Sequence, residues 1–122
     1  MSISRSQLYR YLSRCDVVQP STIYFRAVEI ATILKHASLG KVVLDLGCGN
    51  GAVFQTLRHF SSLKTDVLKL EEVVGLDLDP QQASFAKATG LYKSIHVASA
   101  YAVPEPDARF DCIFSNSVIE HI

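Results

Sequence analysis

Apolar positions in the first third of the chain recur every three or four residues: Leu8, Tyr11, Leu12 and Cys15, then, after Pro20, Ile23, Ala27, Ile30, Ala31 and Leu34. That period places one stripe of side chains on one face of a helix, so the spacing predicts two amphipathic helices. Pro20 interrupts the first, Ser21 and Thr22 are cap candidates for the second, and Gly40 is its expected stop. The pattern then changes. VVLDL, residues 42 to 46, is a short β-branched run that suits a strand covered on both faces, and Val53, Phe54 and Leu57 begin a helix directly after a run of glycines. Residues 61 to 72, SSLKTDVLKLEE, have no clear period, and SSLKTDVLKL, residues 61 to 70, is expected in a surface loop, where added length costs little entropy.

VVGLDLD, residues 73 to 79, repeats the strand-into-acid pattern. The next stretch, DPQQASFAKATG, has Asp79 as an N-cap, Pro80 at the first helical position, Gln82 where a capping box wants it and Gly90 as the stop. Ser94 to Ala98 and FDCIFS, residues 110 to 115, read as two further strands separated by the turn VPEPDAR. Strands alternating with helices argue for βαβ units joined by right-handed crossovers. The expected architecture is α/β, a doubly wound parallel sheet of strand order 3-2-1-4, with a helical segment at 1–40 before a sheet domain at 41–122. Such folds continue beyond the fourth strand. The expectation is therefore a domain truncated after that strand, with Cys112, Ile113 and Phe114 as an apolar edge open to self-association.

Composition narrows the partners. Of 122 residues 48% are hydrophobic, and 12 basic side chains balance 12 acidic ones, which suits one soluble globular domain. Zero formal charge leaves no electrostatic footprint for a nucleic acid or an anionic membrane. No apolar run approaches the roughly 18 residues of a membrane span, and MSISRSQLYRYL lacks the apolar region of a signal peptide, so the expected address is cytoplasmic. Cys15, Cys48 and Cys112 form no CxxC pair, and His36, His59 and His96 have no ligand spacing; no disulfide framework or metal site is indicated, and the histidines are expected at the surface or an edge.

Candidate chemistry centres on LGCGNG, residues 46 to 51. Glycines let the backbone turn with positive φ and let a ligand lie against peptide groups, and the helix that follows offers unpaired N–H groups, so the loop reads as a ligand seat. By letter alone Gly47, Gly49 and Ala52 satisfy a dinucleotide fingerprint. Asp45, just ahead of it, would repel a diphosphate and suits a ligand carrying an ammonium and a sulfonium.

LDLGCGNG, then VVGLDLDP, then FDCIFSNSVIEHI, together spanning roughly residues 41 to 122, resemble the N-terminal half of a class I S-adenosylmethionine-dependent methyltransferase of the small-molecule type, with a Rossmann-like core. The resemblance implies S-adenosylmethionine as cofactor. It assigns Asp45, Gly47, Cys48, Gly49 and Gly51 to the cofactor's amino-acid end, Asp77 to the ribose hydroxyls and Leu78 to the adenine. Ser99, where the family often has an acid or asparagine, and the Ala100 amide would meet the adenine edge, and Asn116 would face cofactor or acceptor. Glu120 and His121 are catalytic candidates, His121 as a base for an incoming hydroxyl; alternatively they open the next helix. Tyr9, Tyr11 and Tyr24 are substrate candidates, because N-terminal helices cover the cofactor in the resembling enzymes.

Plainer roles compete at several positions. Asp79 reads as a cap, Asp111 as a turn or local hydrogen-bonding residue, and Cys48 either as a reactive thiol or as a small residue in a crowded loop. The segment lacks the Asn-Pro-Pro-aromatic signature of the family's amino-methylating nucleic-acid branch. The function implied is methyl transfer to a small-molecule or lipid-linked acceptor, with the 122-residue chain alone expected to be inactive. The alternatives are a non-catalytic module that binds cofactor or protein, and an NAD-dependent oxidoreductase.

Overall fold

A computed structural model describes residues 3–14, 20–36, 39–61 and 71–115. They form two compact units, one built from helices and one around a sheet. The helical unit contains α1 (Arg5–Ser13), a 3-10 turn (Pro20–Thr22), α2 (Ile23–His36) and α3 (Ala52–Ser61). The sheet unit contains β1 (Val42–Leu46), β2 (Glu72–Asp77), α4 (Pro80–Ala88), β3 (Ser94–Val97) and β4 (Cys112–Ser115).

The helical unit follows its apolar stripe. Leu8 and Leu12 of α1 meet Ile23, Ala27, Ile30 and Leu34 of α2 and Leu57 and Phe60 of α3 in one buried cluster. Each large side chain so buried contributes about 1.5–3 kcal/mol from removal of apolar surface from water. A capping box starts α1: the Gln7 amide donates to Ser4 Oγ at 3.1 Å, and the Ser4 amide donates to Gln7 Oε1 at 2.8 Å. Ser21 and Thr22 lie in the 3-10 turn that leads into α2. Helix α2 ends at His36, ahead of the expected stop at Gly40. Gly40 has a different reason to be small, since a Cβ there would lie 2.5 Å from the Asp111 Cβ. Cys15 and most of the expected surface loop lie outside the described residues.

In the sheet unit all pairings are parallel and the order is β3-β2-β1-β4. This is the doubly wound, Rossmann-like order predicted from the sequence, with its reversal at β1. One face carries Leu44, Val74 and Leu76, packed with Leu46, Ala98, Val103 and Phe110. Alternation sends Val43, Asp45, Val73 and Gly75 to the other face. Helix α4 packs on β2 and β3, with Ala83 and Ala86 buried. Asp111 is a long-range tie rather than a local one: its Oδ2 accepts from the Lys41 and Val42 amides at 3.2 and 3.0 Å, which fixes β4 beside β1. His96 stands on β3, an outer strand of the described sheet, half-buried beside Glu105 at 3.3 Å. Glu105 also faces Arg109, which pairs with Glu72, and the Arg109 hydrogen bond holds the Glu72 carboxyl below its ordinary range. These pairs hold the VPEPDAR turn against the sheet.

β4 is the outer strand on its side of the described sheet, and Ile113 is 63% exposed. β2 ends at Asp77, whose Oδ1 accepts the Asp79 amide at 2.9 Å. That bond also corrects the capping of α4. Asp79 is the N-cap and accepts from the Gln81 amide at 2.9 Å, but its own N–H goes to Asp77 and not back to Gln82.

Candidate functional site

β1 and β2 end side by side, and the chain after β1 curls over the end of β2. The Gly47 and Cys48 amides donate to the Leu76 carbonyl at 2.7 and 3.0 Å, and the Gly51 amide returns to the Cys48 carbonyl at 3.1 Å. Such a curl needs left-handed backbone at alternate positions, with φ of 73° at Gly47, 55° at Gly49 and 83° at Gly51. That explains glycines over bulkier residues.

Gly49 and Gly51 are small for different reasons. A Cβ at Gly51 would meet the Ala86 Cα, Thr89 Cγ2 and Tyr92 Cε2, each at 3.3 Å, so this glycine lets the loop press on α4. A Cβ at Gly49 would meet only the tip of Gln82, at 3.9 Å. The backbone at Gly49 therefore faces open space, as a cradle for a ligand requires. Its N–H donates to Asp77 Oδ2 at 2.9 Å. With Oδ1 on the Asp79 amide, the Asp77 carboxylate ties the glycine loop to the turn into α4. Carboxylate oxygens have about four lone-pair sites, so two amide bonds leave capacity for hydroxyl donors.

Asp45 is set quite differently. It is 4% exposed, lies opposite Gly75 in the register, and accepts the Tyr92 hydroxyl on Oδ2 at 2.7 Å. Burial pushes its carboxyl up to about 7, against the Tyr92 hydrogen bond, and Asp77 adds to the rise. Burial and the same carboxylate push the Tyr92 phenol up as well. Cys48 is buried, and burial, then Asp45, then Asp77 push its thiol up to about 12. A thiol held neutral in this way is a poor nucleophile, which favours small size over reactivity at Cys48.

The cluster at the carboxyl ends of β1 and β2 thus brings together Asp45, Gly47, Cys48, Gly49, Gly51 and Asp77. Leu78 stands just outside it, 70% exposed. Ser99 and Ala100 follow β3 in a turn where Ser99 Oγ accepts the Tyr101 amide at 3.1 Å, while the Ala98 amide holds the Asp77 carbonyl at 3.1 Å. Asn116, Glu120 and His121 lie outside the described residues. In the helical unit Tyr9 and Tyr24 border a hollow of about 260 Å³, and Tyr11 stacks on His59 with ring centroids 4.5 Å apart. Among the described residues no group of His, Cys, Asp and Glu could hold a metal ion, and no helix is long and apolar enough to cross a membrane.

Sequence reasoning missed Tyr92. The available signal was Gly75, a glycine inside an otherwise β-branched strand, which marks a close approach by some other group.

The family described as Methyltransferase domain matches residues 44–122. A probable S-adenosylmethionine-dependent methyltransferase of Mycolicibacterium smegmatis is 31% identical over 100 residues, covering 81% of this chain and 35% of that protein. A ubiquinone biosynthesis O-methyltransferase of Paraburkholderia phytofirmans is 29% identical, covering 78% of this chain and 40% of that protein. The chain thus spans well under half the length of these relatives. Among solved structures, mycolic acid cyclopropane synthase in complex with SAH and CTAB superposes with a TM-score of 0.56 at 25% identity, over 92% of this chain and 37% of that one.

Proposed function

Because the chain belongs to the methyltransferase domain family, of the class I S-adenosylmethionine-dependent kind, we propose that the glycine cradle and Asp77 seat S-adenosylmethionine for methyl transfer. One observation carries this reading: Gly49 presents bare backbone to open space while its N–H is held by the carboxylate that ends β2. In this reading Asp77 accepts from the two ribose hydroxyls. Leu78 covers the adenine and, with Ser99 and the Ala100 amide, borders the adenine pocket. Gly47, Cys48, Gly49 and Gly51 line the methionine portion, and Asp45 lies beneath it as counter-charge to the ammonium. Asn116 faces cofactor or acceptor, and His121 and Glu120 are candidates for proton removal.

The cofactor, when bound, supplies an electrophilic methyl group. The protein's part is then mostly to hold donor and acceptor in line and dry, with a base needed only for some acceptors. A small-molecule or lipid-linked acceptor is the class proposed. The likeness to a ubiquinone biosynthesis O-methyltransferase and to a mycolic acid cyclopropane synthase supports it. Titration calorimetry with S-adenosylhomocysteine, against NAD as control, tests the seat. Binding of NAD in preference to S-adenosylhomocysteine would overturn it. Incorporation of tritiated methyl groups into extracted lipids and small metabolites tests the acceptor class; label confined to protein or nucleic acid would refute that part.

A further inference from the structure

Tyr92 lies just before β3, yet its hydroxyl bonds to a carboxylate on β1, so its ring has to cross β2, which lies between them. The crossing takes place over Gly75. A Cβ at that position would lie 3.0 Å from Tyr92 Cδ1, 3.1 Å from Cε1 and 3.0 Å from Cys48 Sγ. The missing side chain is therefore the gap through which the tyrosine reaches Asp45.

Among the described residues, the groups that face Asp45 are few and come from separate elements. Tyr92 approaches from the segment before β3, Asp77 from the end of β2 and Cys48 from the glycine loop. Its strand neighbours in the register, Gly75 and Phe114, carry no charge. None of these brings a positive charge to a buried carboxyl, and burial without one favours its protonated form. A ligand with an ammonium above the loop would supply the missing charge.

We propose that Tyr92 is a positioning residue of the cofactor seat, and that filling the seat expels a proton from Asp45 to solvent while the tyrosine hydroxyl holds the resulting carboxylate in place. The proposal rests on the reading of the glycine loop as the seat for the cofactor's amino-acid end. The proton leaves the Asp45 carboxyl for bulk water, and no bond to the ligand is made or broken.

The test is calorimetry of S-adenosylhomocysteine binding to the full chain in buffers of differing ionisation enthalpy, which counts protons released per ligand bound. With the free carboxyl titrating near 7, about half a proton should be released at pH 7 by the unaltered chain. Tyr92→Phe keeps the ring but removes the donor that favours the charged form, moving the carboxyl up by roughly one to two pH units. Release at pH 7 should then approach one proton. Comparing the proteins cancels any proton taken up by the ligand itself.

Gly75→Ala pushes the ring aside by an independent route and should shift release in the same direction; it also serves if the phenylalanine variant folds poorly. Asp45→Asn should release none. Binding without proton release in the unaltered chain, or equal release in Tyr92→Phe, overturns the coupling and leaves the seat standing. No binding heat at all removes the seat, and the coupling with it.

Discussion

Two acids stand in nearly the same lettering, VVLDLG before the glycine loop and VVGLDL before the turn into α4, yet they end in opposite surroundings. The register accounts for the difference. Asp45 pairs with Gly75 and lies within the sheet, while Asp77 is the last residue of β2 and sits at its mouth. One carboxyl is buried and bonded to a tyrosine; the other is half-buried and bonded to two backbone amides. Similar sequence therefore yields one acid whose charge depends on what approaches it and one whose geometry is already set for donors. A substitution that treats the two alike would erase this distinction.

The sharpest test of the mouth is Gly49→Val. The added side chain meets little protein, so the fold should survive, at a cost of about 1–2 kcal/mol for forcing a branched residue into left-handed backbone. Its bulk would fill the cradle. Binding of S-adenosylhomocysteine should be lost, a weakening of about a thousandfold or more, equivalent to ~4 kcal/mol. Gly51→Ala should behave in the reverse way, lowering the melting temperature because its Cβ presses on the Ala86 backbone. Equal loss of stability in both variants would mean that the loop is a packing device throughout.

Asp45→Asn addresses the buried acid through pH. Its folded-state pKa of about 7 lies above the ordinary value of 3.8, so folding binds a proton. The stability this contributes is fully present below about pH 4 and is lost as pH rises through 7. Asparagine does not titrate, so the advantage of the unaltered chain over the variant should shrink by on the order of 4 kcal/mol across that window and stay flat above it. Urea unfolding at several pH values would show this; a difference that stays constant with pH would mean Asp45 is ionised throughout.

Asp77→Ala should weaken S-adenosylhomocysteine binding by about 2 kcal/mol through lost charge-assisted hydrogen bonds. It also frees the Gly49 and Asp79 amides, so part of the loss should appear as a lower melting temperature. Asp77→Asn keeps one side-chain acceptor for those amides and separates the two effects. If asparagine restored full affinity, the carboxylate charge would have no part in ribose recognition.

The sheet order was legible because the strands are short runs ended by turn-forming residues, and the crossovers from β1 to β2 and from β2 to β3 have helical period. Within the site, the positions of Asp77 and the glycines were legible because each stands at the end of an apolar strand run. Tyr92 was not, because its partner lies far away in sequence and the contact exists only once β2 has been placed between them. Gln82 misled for a different reason: the amide that it would have served already donates to Asp77, two residues earlier, so one local bond displaced another. The helix stop at Gly40 failed likewise, since that glycine answers to Asp111 on the far side of the sequence. Local rules gave the elements, and the exceptions at Tyr92 and Gly40 sit where segments distant in sequence meet.

The smallest expected effect separates Asp77 from its neighbour on the same turn. Asp79 also accepts a backbone amide, that of Gln81, but its carboxylate serves the start of α4 and not the glycine loop. Asp79→Ala should therefore cost about 1 kcal/mol of stability, as loss of an N-cap does, and change S-adenosylhomocysteine affinity by less than about twofold. The Asp79 N–H is retained in the variant, so the bond that orients Asp77 Oδ1 survives. Paired thermal melts and calorimetry on this variant and on Asp77→Ala then distinguish a carboxylate that contacts ligand from a turn that merely needs to be well formed. If Asp79→Ala lost as much affinity as Asp77→Ala, binding would depend on the order of the whole turn, and the contrast between an acid at the mouth of the sheet and its structural neighbours would fail.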